Sequence, residues 1–154
     1  MSTWTDSQIN AIKLRKDECK KKKNEHLKVS VLYDSCYKGT GLPQIILSSI
    51  LSTTTLSQIS EQESSFTLTV FLASCSVLLA ILTSISHFFE FAKLKESHKK
   101  TGHSFGKLER LLEFELSRSE KQTYDSLFEH TLNEYNTIKE NSHLIPYYFK
   151  NYVK

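Results

Sequence analysis

The sequence lacks the short motifs that mark most catalytic and metal-binding proteins. Its four glycines among 154 residues are too few for the loops that cradle phosphate groups, and no P-loop, G-x-G-x-x-G or G-x-S-x-G pattern occurs. No H-E-x-x-H or C-x-x-C pair occurs either, and His98 and His103 have no third ligand at helical spacing. We therefore predict no enzymatic activity, no metal site and no cofactor.

Disulfide bonds are not indicated. The three cysteines, Cys19, Cys36 and Cys75, are odd in number and irregularly spaced, and Cys75 lies within an apolar run. This pattern is typical of free thiols on the reducing side of a membrane. The N-terminus has no apolar signal-peptide segment, so any membrane insertion would depend on internal helices.

Charge is missing from two long stretches of the chain. Neither 39–60 nor 64–89 contains Lys, Arg, Asp or Glu, although the chain has 20 basic and 17 acidic residues. Only Glu61, Gln62 and Glu63 separate the two stretches. A water-soluble domain has no reason to segregate its charges in this way, so the pattern predicts that both stretches lie in a bilayer.

Both uncharged stretches are long enough to cross a membrane as helices. Residues 42–60 would span about 27–30 Å and residues 66–89 somewhat more, against a hydrocarbon core of about 30 Å. The connector 61–65 is too short to let them lie apart. We therefore predict a transmembrane hairpin of two antiparallel helices within 39–90.

A further helix is predicted on the N-terminal side of this hairpin. Residues 5–38 carry apolar side chains at helical spacing, and Gly39 and Gly41 then predict a break. Pro43 suits the first turn of the helix that follows. Residues 1–38 are thus expected to form a separate cytoplasmic or juxtamembrane segment.

Lysines flank the hairpin on both sides and are missing from its acidic connector. By the positive-inside rule, both termini are predicted to lie in the cytoplasm of an integral, multi-pass membrane protein. The lysines expected to set this topology and to contact lipid are Lys20, Lys21, Lys22, Lys23, Lys38, Lys93 and Lys95. No aromatic platform or recognition helix accompanies them, so we expect no nucleic-acid partner.

The first predicted span is unusually rich in hydroxyl side chains. Its candidate functional residues are Ser48, Ser49, Ser52, Thr53 and Thr55, which cluster at helical spacing. Small hydroxyl residues can let two membrane helices pack closely. They can also line a polar pore in an oligomer, although no charge lies in the span to select ions. The sequence is compatible with close helix packing and with a pore lining, and it favours packing.

Residues 91–154 are predicted to form cytoplasmic helices and an aromatic, basic tail. Gly102 and Gly106 are expected to weaken the first of these helices. A later helix, from about 120 to 140, has an apolar stripe at three-and-four spacing. The stripe, which we expect to bind other helices, copies of the chain or a cytoplasmic protein partner, comprises Tyr124, Leu127, Phe128, Leu132, Tyr135 and Ile138.

The predicted fold class is therefore all-α, an integral membrane hairpin with cytoplasmic amphipathic helices before and after it. This order of elements resembles the SLATT superfamily, the two-transmembrane effectors associated with SMODS and SLOG domains. Three segments carry the resemblance: YKGTGLPQIILSS at 37–49, FAKLKESHKKTGHSFGKLERLL at 91–112, and YNTIKENSHLIPYYF at 135–149.

The resemblance implies an oligomeric effector that forms pores in a bilayer or remodels it. Members of this type are also similar to proteins carried by large DNA viruses. That similarity implies a role in a virion membrane. The alternative function is therefore a structural anchor that ties a membrane to a protein shell. Both interpretations imply a lipid bilayer as a partner. The effector interpretation also implies further copies of the chain.

Overall fold

The structure is a computed structural model that describes residues 4–60, 66–118, 122–147 and 149, with the backbone alone described for 56–60. Four helices make up nearly all of these residues: α1 (Asp6–Ser60), α2 (Phe66–Phe89), α3 (Phe91–Ser117) and α4 (Tyr124–Glu140). The described ranges contain no strand, which confirms the all-α class. The predicted connector 61–65 and the predicted helix start at Glu120 lie outside the described residues.

The chain divides into two compact units. Unit 1 comprises Met1–Leu32 and Leu94–Lys154, and unit 2 comprises Tyr33–Lys93. Helices α1 and α3 each contribute residues to both units, whereas α2 belongs to unit 2 and α4 to unit 1. The predicted division at 38/39 and 90/91 therefore differs from this one by a few residues at each boundary.

Unit 1 is a three-helix arrangement with its own hydrophobic core. The core side chains come from α1, α3 and α4 together with the residue that precedes α1: Trp4, Ile12, Cys19, Phe105, Leu108, Leu112, Leu127 and Tyr135. The indole Nε1 of Trp4 donates a hydrogen bond to the carbonyl oxygen of Gln122, 2.9 Å away. This bond fixes the segment before α4 against the start of α1.

Helix α1 does not break at Gly39 and Gly41, so that prediction is wrong. The helix continues through both glycines and through Pro43, which lies in its interior rather than in a first turn. A glycine costs a helix only about 1 kcal/mol and a proline about 3 kcal/mol, which strongly helical flanks can offset. The hydroxyl of Thr40 also donates to the carbonyl oxygens of Cys36 and Tyr37 at 3.1 and 3.2 Å.

Unit 2 pairs the later part of α1 with α2. The side-chain amide of Gln44 donates to the hydroxyl of Ser86 at 2.8 Å. This bond joins the start of the first predicted span to the end of the second, as in an antiparallel helix pair. Helix α2 has the same bounds as the predicted second helix, 66–89, and Glu90 separates it from α3 with a left-handed φ of 44°.

Candidate functional site

The surface of α2 is apolar, and the described part of the chain leaves most of it uncovered. Within the described residues, one helical run is long and apolar enough to cross a membrane, Phe66–Ser117, and only 6% of its most apolar window is buried. Cys75 is the buried residue of α2. Its large apolar side chains that remain exposed are Phe66, Val70, Phe71, Val77, Leu78, Ile81, Ile85, Phe88 and Phe89.

The neighbouring part of α1 is also exposed but is less apolar. Leu42, Ile45, Ile46 and Ile50 expose between 39% and 64% of their surface. The hydroxyl residues between them lower the hydropathy of this segment, and no second helix in the described part of the chain meets the membrane-crossing criterion. The hairpin is therefore supported by composition more strongly in α2 than in α1.

The five candidate hydroxyl residues all point to the outside of unit 2, and each is bonded to its own helix. Ser48 and Ser49 donate to the carbonyl oxygen of Ile45 at 2.9 and 2.8 Å. The other three hydroxyls donate to backbone carbonyl oxygens of the preceding turn at 2.7–3.0 Å: Ser52 to that of Ser48, Thr53 to those of Ser49 and Ile50, and Thr55 to that of Leu51. Because each donor is satisfied locally, these residues can face lipid, water or another helix at small cost.

Aromatic side chains and ion pairs cluster where α2 ends and α3 begins. The ring of Phe89 stacks on Phe91 at 5.3 Å and meets Phe88 edge-on at 5.1 Å, and Phe91 lies 6.4 Å from Tyr33. The exposed Lys93 pairs with Glu90 at 2.9 Å. Aromatic rings beside charged residues are typical of the boundary between a bilayer and water.

Ion pairs outside this cluster involve the predicted topology lysines Lys22, Lys23 and Lys38. Lys38 pairs with Asp34 at 2.7 Å, Lys22 with Glu25 at 3.1 Å and Lys23 with Glu109 at 3.0 Å. The Lys23 pair joins α1 to α3 and so helps to hold unit 1 together. Among the remaining predicted lysines, Lys20 and Lys21 are exposed and Lys95 is half-buried.

The apolar stripe of α4 lies against the core of unit 1. Leu127 and Tyr135 are buried, and Tyr124, Phe128, Leu132 and Ile138 are half-buried. Arg15 of α1 lies over the rings of Phe128 and Tyr135, with its Cζ 5.7 and 5.1 Å from their centroids. Helices α1 and α3 therefore cover much of this stripe, and it does not need a second chain to leave water.

Two buried histidines form a feature that the sequence patterns did not suggest. His26 of α1 and His98 of α3 are 4% and 1% exposed, and their Nδ1 atoms lie 2.9 Å apart. Phe105 stacks on His26 with 5.9 Å between ring centroids, and His143 lies 6.3 Å from His98. A hydrogen bond at this distance requires one ring to donate its Nδ1 proton and the other to accept it.

Burial lowers the pKa of both histidines. For His98, desolvation is the largest cause and the neighbouring His26 and His143 add to it, which lowers the pKa from 6.5 to about 4. For His26, desolvation and the nearby Lys22 lower the pKa, and Glu25 opposes them. Both rings are therefore neutral at pH 7.

A second polar contact joins α4 to α1 within unit 1. The hydroxyl of Tyr135 donates to the Oε1 carboxylate oxygen of Glu18 at 2.5 Å. Burial, followed by this hydrogen bond, raises the pKa of Tyr135 to about 12. Burial also raises the pKa of the Cys19 thiol to about 11, so this thiol is protonated and unreactive at neutral pH.

A heptad pattern could have located the buried histidines. Ile12, Cys19, His26 and Tyr33 are spaced by seven residues, and all four are buried. The same spacing relates His98 to Phe105 and Leu112 on α3, at positions that are also buried. Seven-residue spacing marks the contact face of packed helices. Each histidine thus occupies a core position of its helix, although a polar residue in a sequence pattern usually indicates an exposed position.

The geometry brings these groups together without forming a metal centre, since no set of three or more His, Cys, Asp and Glu side chains within the described ranges is placed to hold a metal ion. Comparisons with protein-family models, with curated proteins and with solved structures find no match to this chain. The features of the described structure that bear on function are therefore the apolar surface of unit 2 and the polar contacts of unit 1.

Proposed function

We propose that this chain is an integral membrane protein whose unit 2 inserts as a two-helix hairpin, with residues 42–60 and α2 as the two spans. The observation that carries the proposal is the nearly complete exposure of the apolar window in Phe66–Ser117. Covering one large apolar side chain is worth about 1.5–3 kcal/mol. A chain that left this whole surface in water would therefore forgo the stabilisation that covering these side chains provides.

The flanking residues support an orientation with both termini in the cytoplasm. Lysines lie before the first span and after the second, and the connector holds none. The aromatic cluster around Phe89 and Phe91 lies on the same side of the proposed spans as these lysines. Local pairing of Lys38 and Lys93 with acids does not remove their exposure, so both can still contact lipid headgroups.

Within the membrane, we propose that copies of the chain associate and permeabilise or remodel the bilayer, as the SLATT resemblance implies. The exposed hydroxyl face of α1 supports this proposal. Lipid gains less from hydroxyl groups than from aliphatic side chains, whereas a second helix or a water-filled axis suits them well. Ser48, Ser52 and Thr55 fall at four-and-three spacing, so one side of α1 can present all three hydroxyls to another copy or to a water-filled axis.

Membrane insertion and its orientation are tested on the full chain in cells. The expected result is that the protein stays in membranes washed with alkaline carbonate. A cysteine introduced as Gln62→Cys should react with an impermeant maleimide in intact cells, and Lys21→Cys should react only after lysis. Release into the carbonate wash would overturn the membrane proposal, and labelling of Lys21→Cys in intact cells would overturn the orientation.

Permeabilisation is tested with purified protein in dye-loaded liposomes. We expect leakage from wild-type protein and a loss of at least tenfold in its rate when Ser48, Ser52 and Thr55 are all replaced by leucine. The matched control replaces Ser74, Ser76 and Ser84 of α2 by leucine, since these hydroxyls also bond to their own helix. Absence of leakage, or equal loss in both triple variants, would overturn the pore proposal.

A structural anchor is the second candidate, favoured by unit 1. Its core is satisfied within the chain, yet Leu14 and Phe114 expose 72% and 62% of their surface. Exposed large apolar side chains on a folded unit mark candidate protein contacts. Crosslinking through Leu14 or Phe114 to a protein of a surrounding shell, together with tight liposomes, would favour the anchor over the pore.

A further inference from the structure

The His26–His98 hydrogen bond is one of the contacts that join α1 to α3 in unit 1, beside the Lys23–Glu109 ion pair and the shared core. We propose that this pair is an acid-sensitive latch, which holds the two helices together while both rings are neutral and releases them when the rings become protonated. The inference concerns unit 1 alone, and it does not depend on the proposed membrane function.

The two helices lie close together beside the histidine pair. A Cβ atom added at Gly102 would lie 3.0 Å from the Cγ and Cδ2 atoms of Leu27 and 3.3 Å from the carbonyl oxygen of Lys23. At Gly106, an added Cβ would lie 3.3 Å from the Cδ of Lys23. Gly102 lies about one turn from His98, and Leu27 follows His26, so a change in the ring pair acts where the two helices lie close together.

The proton count explains why acid would open this contact. In the neutral pair, a single proton lies between the two Nδ1 atoms. One added proton on a distal ring nitrogen leaves that bond in place but buries a positive charge. Two added protons place a hydrogen on both Nδ1 atoms, and the 2.9 Å contact then becomes repulsive.

Burial and several neighbouring side chains disfavour this charge. Lys22 and Glu25 face His26 from α1, and His143 faces His98 from the segment after α4. The carboxylate of Glu25 is already paired with Lys22 at 3.1 Å. The neighbouring Phe105 supplies only an apolar ring face, so a proton taken up by the pair meets mostly positive or apolar surroundings.

The direction of the pH effect follows from the two lowered pKa values. A closed state that binds protons less readily than the open state is favoured fully above about pH 6.5 and loses ground as the pH falls toward 4. With a pKa of about 4 when closed and 6.5 when open, His98 alone shifts the opening equilibrium roughly 30-fold between pH 7.5 and pH 5. His26 adds to this shift in the same direction.

Hydrogen exchange of the full chain in detergent micelles measures this opening directly. After correction for the intrinsic pH dependence of exchange, wild-type peptides covering 22–30 and 98–106 should lose protection by roughly 30-fold at pH 5 relative to pH 7.5. Replacing both rings in the double variant His26→Gln, His98→Gln should reduce that change to under threefold. The matched control, His103→Gln, alters an exposed histidine of the same helix and should keep the wild-type response.

Two results would overturn the latch. One is wild-type protection in these peptides that does not change down to pH 5. The other is a double variant that retains the wild-type pH response. If the double variant does not fold, ring titration of wild-type His98 by nuclear magnetic resonance decides instead: this ring should stay neutral at pH 5.5, and its protonation near pH 6.5 would contradict the proposal.

Discussion

Unit 1 and unit 2 are both helical, but they treat their apolar and polar groups in opposite ways. Unit 1 buries a continuous core and joins its helices through side chains far apart in sequence, such as Lys23 with Glu109. Unit 2 exposes most of its large apolar side chains and bonds its hydroxyls to the preceding turn. The first pattern suits water as the solvent, and the second suits lipid.

The difference shows that hydropathy alone misjudges this chain. Its average composition is that of a soluble protein because 31 of its 37 charged residues lie in unit 1 and only six lie in unit 2. What separates the units is where the hydrogen-bonding groups find partners. In lipid, a polar group must be satisfied within its own helix or by a neighbouring one, and the local bonds of Ser52 and Thr55 meet that requirement.

The largest expected effect comes from removing a core ring of unit 1. Phe105 is 2% exposed and packs between His26 and Tyr135, so Phe105→Ala should lower the free energy of unfolding by about 3–5 kcal/mol. Denaturant unfolding followed by the fluorescence of Trp4, the single tryptophan, measures this change. Phe71→Ala in α2 is the control, because Phe71 is half exposed, and an equal shift of the Trp4 transition would contradict the separation of the units.

A charge on the surface of α2 should have the next largest effect. Leu78→Arg places a guanidinium near the middle of the proposed span, which costs about 2.5–3.5 kcal/mol of insertion free energy. The fraction of protein retained in carbonate-washed membranes should fall accordingly. Leu14→Arg, at a more exposed leucine of unit 1, should leave retention unchanged, and equal retention of both variants would show that α2 does not contact lipid.

The sequence predicts the helices of this fold better than it predicts their contacts. The predicted bounds of the second helix, 66–89, agree with those of α2, because the length of an apolar run can be seen in one segment alone. The position of the histidine pair depends on which faces of α1 and α3 meet, and a polar residue at a heptad position looks like surface when one helix is considered alone. Gly102 and Gly106 were expected to weaken α3, yet both are buried where α1 approaches it.

The polar contacts that join helices should also differ in strength between the units. Tyr135→Phe removes a hydrogen bond to the carboxylate of Glu18 and should destabilise unit 1 by about 1.5 kcal/mol. Ser86→Ala removes the acceptor of Gln44 in unit 2, and if unit 2 is inserted as proposed the expected cost is about 0.6 kcal/mol, the average for such bonds between membrane helices. Unfolding of unit 1 is measured by Trp4 fluorescence, and that of unit 2 by loss of helicity during titration with a denaturing detergent. A larger effect at Ser86 would reverse the comparison.

The smallest effects come from glycines in the same helical setting but in different surroundings. Gly39 in unit 2 has nothing within 4 Å of an added Cβ, so Gly39→Ala should stabilise the helix by about 0.5–1 kcal/mol. Gly102→Ala gains the same propensity, but its Cβ would lie 3.0 Å from Leu27 and 3.3 Å from a backbone oxygen that cannot move aside. It should therefore be neutral or destabilising by up to about 1 kcal/mol in Trp4-monitored unfolding. Opposite signs would show that glycine serves close helix packing in unit 1 and only weakens the helix in unit 2. Stabilisation by both variants would mean that Leu27 and the backbone near Gly102 accommodate the added methyl group at no net cost.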